Sequence, residues 1–125
     1  MQIKVQPDEQ KASALKQMAE ITLARLKETD IEKYPANTLT DYYDAIHKLM
    51  EAITAKEGIK IKGEGAHQEI IDYISKKLNL GEQTRIFLQD LRDKRNRISY
   101  EGLIINKEFI SENRKKIEEI IKKLT

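Results

Sequence analysis

Between Leu91 and Gly102 the chain reads Leu-Arg-Asp-Lys-Arg-Asn-Arg-Ile-Ser-Tyr-Glu-Gly, and here its side chains have the types and spacing for chemistry. Arg92, Lys94, Arg95 and Arg97 set four cations within six residues, while Asn96 and Tyr100 add an amide and a phenol. On a helix that persists to Tyr100, residues Arg92, Asn96 and Tyr100 form an i, i+4, i+8 row flanked by Arg95 and Ser99. The partner such a row suits is a phosphate, because arginine's planar fork grips phosphate oxygens in pairs and stays charged throughout. Cleaving RNA without a metal takes more. It needs a proton acceptor for the 2′-hydroxyl, a proton donor for the leaving oxygen and a cation where negative charge grows. Tyr100 is a weak candidate for proton transfer, since a phenol of reference pKa about 10 is only about 0.1% ionised at neutral pH. A nearby Arg95 would lower that pKa, and a neutral phenol still donates a hydrogen bond. His47 is the other candidate acid–base group, whereas His67, at a loop-to-helix junction, reads as a capping or packing residue.

Each of these residues also has a purely structural reading. Arg95 can pair with Glu51 between helices, and Asn96 can bond the loop after Tyr100. Tyr100 can be a packed or hydrogen-bonded tyrosine at a helix end, and His47 a satisfied core or interface histidine. Lys94 and Arg97 can be solvated cations. Two histidines this far apart suggest neither a zinc-ligand set nor a Ser-His-Asp arrangement, and Gly63-Glu64-Gly65 has no phosphate-loop pattern around it. No metal or cofactor is expected.

Composition narrows the field. The 125 residues are read as one domain, 1–125, large enough to bury its own core. With 23 Lys plus Arg against 21 Asp plus Glu, the net charge of +2 is too small to drive nonspecific nucleic-acid binding, so any anion site must be local. The absence of cysteine excludes thiol catalysis, disulfides and Cys-ligated metal, and fits a reducing cytoplasm. Residues 1–7 lack the apolar stretch of a signal peptide, and no run reaches the length of a membrane span. The expectation is a cytoplasmic protein without membrane association.

Five amphipathic segments of helical period must position the row. From about Asp8 to Glu28, Ala12, Leu15, Met18, Ala19, Leu23 and Leu26 recur at three- and four-residue steps. Thr38 and Asp41 resemble a capping box ahead of Leu39, Tyr42, Tyr43, Ile46, Leu49, Met50 and Ile53, a stripe that stops before Gly58. A third segment carries Ile70, Ile71, Ile74 and Leu78. The fourth, from about Glu82 to Tyr100, runs through Ile86, Phe87, Leu91 and Ile98 and contains the basic cluster. The fifth opens at Asn106 as an N-cap, with Ile105 and Ile110 spaced as a staple, and continues through Ile117, Ile120, Ile121 and Leu124. Gly58 to Lys62 is short enough to be a loop with two buried isoleucines. Stripes joined by short loops predict an all-α fold, an antiparallel up-down helical bundle of four to five helices.

Taken together, the helix Tyr42 to Ile53, the following Gly58-Ile59-Lys60, His67 opening the next helix, and Leu91-Arg92-x-x-Arg95-Asn96-x-x-x-Tyr100-x-Gly102 resemble a HEPN domain over about Asp8 to Leu124. Many such domains are metal-independent ribonucleases that dimerise, with a motif of Arg, a polar residue, three more residues and His. The resemblance implies that Arg95 is the motif arginine and Asn96 its polar companion. The motif histidine falls on Tyr100, and the position of the tyrosine that related toxins carry two residues later falls on Gly102. The implied function is a catalytically weakened module that binds RNA or a nucleotide through Arg92, Lys94, Arg95 and Arg97, as a homodimer, beside a nucleotidyltransferase in a toxin–antitoxin pair. Two other classes stay open: an active ribonuclease using Arg95 and Tyr100, and a protein–protein interaction domain.

Overall fold

Asp8 opens the first helix in the computed structural model, which describes residues 1–125: its carboxylate accepts the Lys11 amide at 2.9 Å, and α1 runs from there over Glu9–Lys27. Its inward face is narrow. Ala12, Ala19 and Leu26 are buried at seven-residue steps, whereas Met18 and Ile21 stand in solvent. The small side chains let α1 lie close against α2, Ala12 meeting Ala52 and Ala55.

Helix α2 spans Pro35–Glu57 and starts three residues ahead of Thr38. Pro35 takes the first helical position, where its fixed φ suits the helix and its missing N–H leaves nothing unpaired. The expected capping box at Thr38 and Asp41 is therefore absent. Thr38 is already inside the helix and donates its hydroxyl to the Ile31 carbonyl at 2.7 Å, while Asp41 pairs with Arg25 on α1. The apolar stripe is as expected: Leu39, Tyr42, Tyr43, Ile46, Leu49 and Met50 are all buried. At the far end, Gly58 adopts φ +76°, and a Cβ there would meet the Val5 carbonyl oxygen at 2.6 Å.

The stretch after Gly58 is a strand and not a loop. β1 (Gln2–Lys4) and β2 (Ile59–Ile61) pair antiparallel with Ile3 opposite Lys60. Its hydrogen-bonding partner lies more than fifty residues earlier, so no local pattern announces it. This small sheet sets where the third helix can start. From Glu57 back to His47, α2 covers ~15 Å, and extended residues recover about 3.3 Å each. The chain therefore returns most of the way to His47 before α3 (Ala66–Lys77) begins.

Helix α3 buries Ile70, Ile71 and Ile74; α4 (Glu82–Glu101) buries Leu88 and Leu91 but leaves Ile86 exposed. The last helix, α5 (Lys107–Leu124), is capped as expected by Asn106, whose side chain accepts the Phe109 amide at 3.0 Å. Ile105 and Ile110 are both buried beside that cap. The protein is an all-α bundle of five helices whose main buried cluster draws on every one of them. Contacts between residues 12 and 55 and 25 and 41, 68 and 89 and 72 and 85, and 87 and 116 and 94 and 109 make the pairs α1–α2, α3–α4 and α4–α5 antiparallel. Helices α2 and α3, joined through β2, run in the same sense, as the contacts His47–His67 and Glu57–Lys77 require. No helix is long and apolar enough to cross a membrane.

Candidate functional site

Helix α4 persists through Tyr100, so Arg92, Asn96 and Tyr100 do share one face, and Gly102 ends the helix with φ +68°. The cations around them are less free than their number suggests. Arg95 is half-buried and bonds the Asp44 carboxylate of α2 through Nε at 3.1 Å. Lys94 lies between the Asp90 carboxylate, at 2.9 Å, and the Phe109 ring, with its Nζ 5.4 Å from the ring centroid. Arg97 bonds Glu101 at 2.8 Å and has Asp93 at 4.0 Å. Three of the four cations thus already face carboxylates. Only Arg92 has a neutral partner, its Nε donating to the Gln89 Oε1 at 3.0 Å.

These contacts revise several structural readings. Arg95 pairs with Asp44 and not with Glu51, whose carboxylate instead lies 3.2 Å from Nε2 of His47. Lys94 is held between a carboxylate and a ring, so it is not a simply solvated cation. Tyr100 is neither packed nor hydrogen-bonded: it is 83% exposed, in the same turn as Arg97 and Glu101, and Ile104 beyond it is 89% exposed. Asn96 is half-buried and its amide makes no bond to the loop after Tyr100. The engagement of Lys94 and Arg97 was visible in the spacing, since 90/94, 93/97 and 97/101 are all i, i+4 pairs of opposite charge. The role of Asp44 was not, because it comes from another helix.

The fold adds residues that the row itself lacks. His47 projects from α2 one turn beyond Asp44, and its imidazole lies flat against that of His67, centroids 4.3 Å apart and planes within 6°. On the other side, Tyr43 stacks against His47 at 6.2 Å with an interplanar angle of 21°. The rings of Tyr43, His47 and His67 form a ladder running from the interior to the surface, where His67 is exposed. Nε2 of His47 is 3.2 Å from the Glu51 carboxylate, while its Nδ1 and the Tyr43 hydroxyl are buried without a protein partner. Burial lowers the His47 pKa and so keeps the ring neutral; Glu51 opposes this, and His67 and Lys48 reinforce it. Burial likewise pushes the Tyr43 phenol up to about 12, with Arg92 and then Arg95 pulling against it.

Those two arginines are therefore within electrostatic reach of the ladder. A hydrogen-bonded path also leads from α4 to α3: Gln89, which accepts from Arg92, donates its amide to the carbonyl of Gln68, the residue after His67, at 2.9 Å. Gln89 thus links Arg92 on α4 to the backbone of α3 next to His67, while Tyr43, His47 and His67 stack between α2 and α3. Beside this stack lies a cavity of about 400 Å³, lined by both histidines together with Lys11, Glu51, Thr54 and Ile61.

No three His, Cys, Asp or Glu side chains are grouped to hold a metal ion. The parallel stacking gives a reason for the two histidines, since the in-plane lone pairs of parallel rings do not converge on one ion. Buried polar atoms without a protein partner are uncommon. Tyr43 and His47 supply two in adjacent turns of α2, and Ser75 on α3 carries one as well. The chain matches no protein-family model, no curated protein and no solved structure.

Proposed function

We propose that the chain is a HEPN-like module that binds RNA or a nucleotide through the face of α4 turned to α2 and α3, with phosphate taken first by Arg92. The observation that carries this reading is the state of Arg92: half-buried, free of any carboxylate, and hydrogen-bonded by one nitrogen to Gln89 so that the rest of its fork stays open. A guanidinium in that condition is suited to a phosphate. Arg95 stands one turn further along and can exchange Asp44 for a second phosphate oxygen. On this reading Lys94 and Arg97 contribute little, their charge being spent on neighbouring carboxylates.

Cleavage by this module is weak or absent. Tyr100 is exposed and its phenol lacks a partner that would activate it, which argues against the alternative of an active ribonuclease built on Arg95 and Tyr100. The adjacent exposure of Tyr100 and Ile104 supports a further part of the proposal, that this end of α4 meets another protein. The partners the resemblance implies are a second copy of the chain and a nucleotidyltransferase of a toxin–antitoxin pair, within the cytoplasm.

The test is anisotropy of a labelled single-stranded RNA with the wild-type protein, Arg92→Ala and Arg95→Ala, beside incubation of mixed RNA with a chelator. Expected are binding that weakens about tenfold or more in Arg92→Ala, as loss of a charge-assisted contact implies, and no cleavage. Unchanged affinity in both variants together with a lowered melting temperature would leave the arginines structural and the proposal wrong.

A further inference from the structure

The ladder of Tyr43, His47 and His67 ends on an open ring. His47 covers one face of His67, and His67 as a whole is exposed at the edge of the 400 Å³ cavity, a volume within the range of small-molecule sites. Nothing in the sequence asks two imidazoles to stack: the contact forms because β2 returns the chain beside His47. A ring stacked flat on a half-buried partner is a preformed platform, and placing a further ring on it orders little that is not already ordered. The Glu51 carboxylate and the burial of His47 hold the lower ring in place. Arg92 does not line that cavity but is linked to the residue after His67 through Gln89 and the Gln68 carbonyl.

We infer that His67 is a stacking platform for an unpaired nucleobase, the next rung of the Tyr43–His47–His67 ladder, with the adjoining phosphate directed to Arg92. The inference rests on the proposed binding function and sharpens it: the ligand is single-stranded, because a base inside a duplex has both faces covered by its neighbours. Recognition by stacking is also tolerant of sequence, since every base has a flat face, and it favours purines by area. Two sources carry the same chemistry, a free nucleotide and a nucleotide unit within a strand. The second engages Arg95 as well as Arg92 and the first does not.

The experiment uses the full chain and an RNA of about eight nucleotides carrying one 2-aminopurine, whose fluorescence is quenched on stacking. The wild-type protein should bind it and quench it. His67→Ala should weaken binding about five- to a hundredfold and abolish the quenching, whereas His67→Phe, which keeps a flat ring, should retain both. A duplex of the same length should bind no better to the wild type than to His67→Ala. Competition by AMP that is equal in the wild type and Arg95→Ala identifies the free nucleotide as a ligand of the platform. If the RNA binds and Arg92→Ala weakens it while His67→Ala does not, the platform is wrong and the binding function stands. If His67→Phe loses as much as His67→Ala with an unchanged melting temperature, stacking is refuted in favour of an imidazole hydrogen bond. If no RNA or AMP binds the wild type, both the platform and the function beneath it fall.

Discussion

Asp44 holds Arg95, so replacing it separates structure from the proposed binding. The Arg95 Nε lies 3.1 Å from the Asp44 carboxylate, and the two side chains are 32% and 37% exposed. Unit charges at that separation attract by about 1.3 kcal/mol in a water-like dielectric. Fixing two side chains in one geometry offsets part of it, which leaves about 0.5–1 kcal/mol for a pair this accessible. An unfolding entropy of ~2.1 cal/mol/K per residue over 125 residues turns that into a fall in melting temperature of about 2–4 °C for Asp44→Asn. The same substitution releases the guanidinium and removes a negative charge from the proposed phosphate face. RNA affinity, read by anisotropy at fixed salt, should therefore rise about two- to fivefold, the equivalent of the same 0.5–1 kcal/mol. A steeper salt dependence should accompany it, because one more cation is available to displace counterions. Affinity that stays level or falls while the protein remains folded would refute the idea that Arg95 faces phosphate. A drop in melting temperature beyond about 10 °C would show, by the same entropy, that the pair is a main fastener of α2 to α4.

Gly58→Ala should cost about 2 kcal/mol or more, since the residue has φ +76° and the added methyl would meet the Val5 carbonyl oxygen; amide exchange at Val5, whose N–H bonds Gly58, should quicken accordingly. For His47, burial lowers the folded-state pKa below that of the unfolded chain, so the unfolded state binds more protons in acid. Denaturation midpoints should be level above about pH 6.5 and fall as pH drops through the lowered value, and His47→Gln should flatten that slope. Tyr100→Ala should leave stability within about 0.5 kcal/mol, because the ring is 83% exposed; a larger loss in urea titrations would mean that it packs against something in solution.

Much of the bundle was legible along the chain because helical signals are local. The stripe from Leu39 to Met50, the stop at Gly58, the Asn106 cap and the Ile105–Ile110 staple each depend on residues within a few turns of one another, and each is where its pattern placed it. Local patterns misled where two competed. Thr38 and Asp41 have capping-box spacing, but Pro35 starts the helix earlier and leaves Thr38 inside it. The Gly58 to Lys62 stretch needed a partner strand from the first residues of the chain, and no window of sequence contains both.

The candidate site divides along the same line. The sequence alone determined that Arg92, Asn96 and Tyr100 share a helix face and that a cluster of cations surrounds them, since helical spacing is all that either statement requires. It also carried, in i, i+4 pairs, the carboxylates that occupy Lys94 and Arg97. Tertiary structure alone decided which arginine stays open, because Asp44 reaches Arg95 from α2 while Gln89 leaves Arg92 without a negative partner. It alone stacked two histidines that look unrelated along the chain. The reason is geometric: β2 carries the chain back along α2, and that return, set by pairing with β1, lays His67 on His47 beside α4.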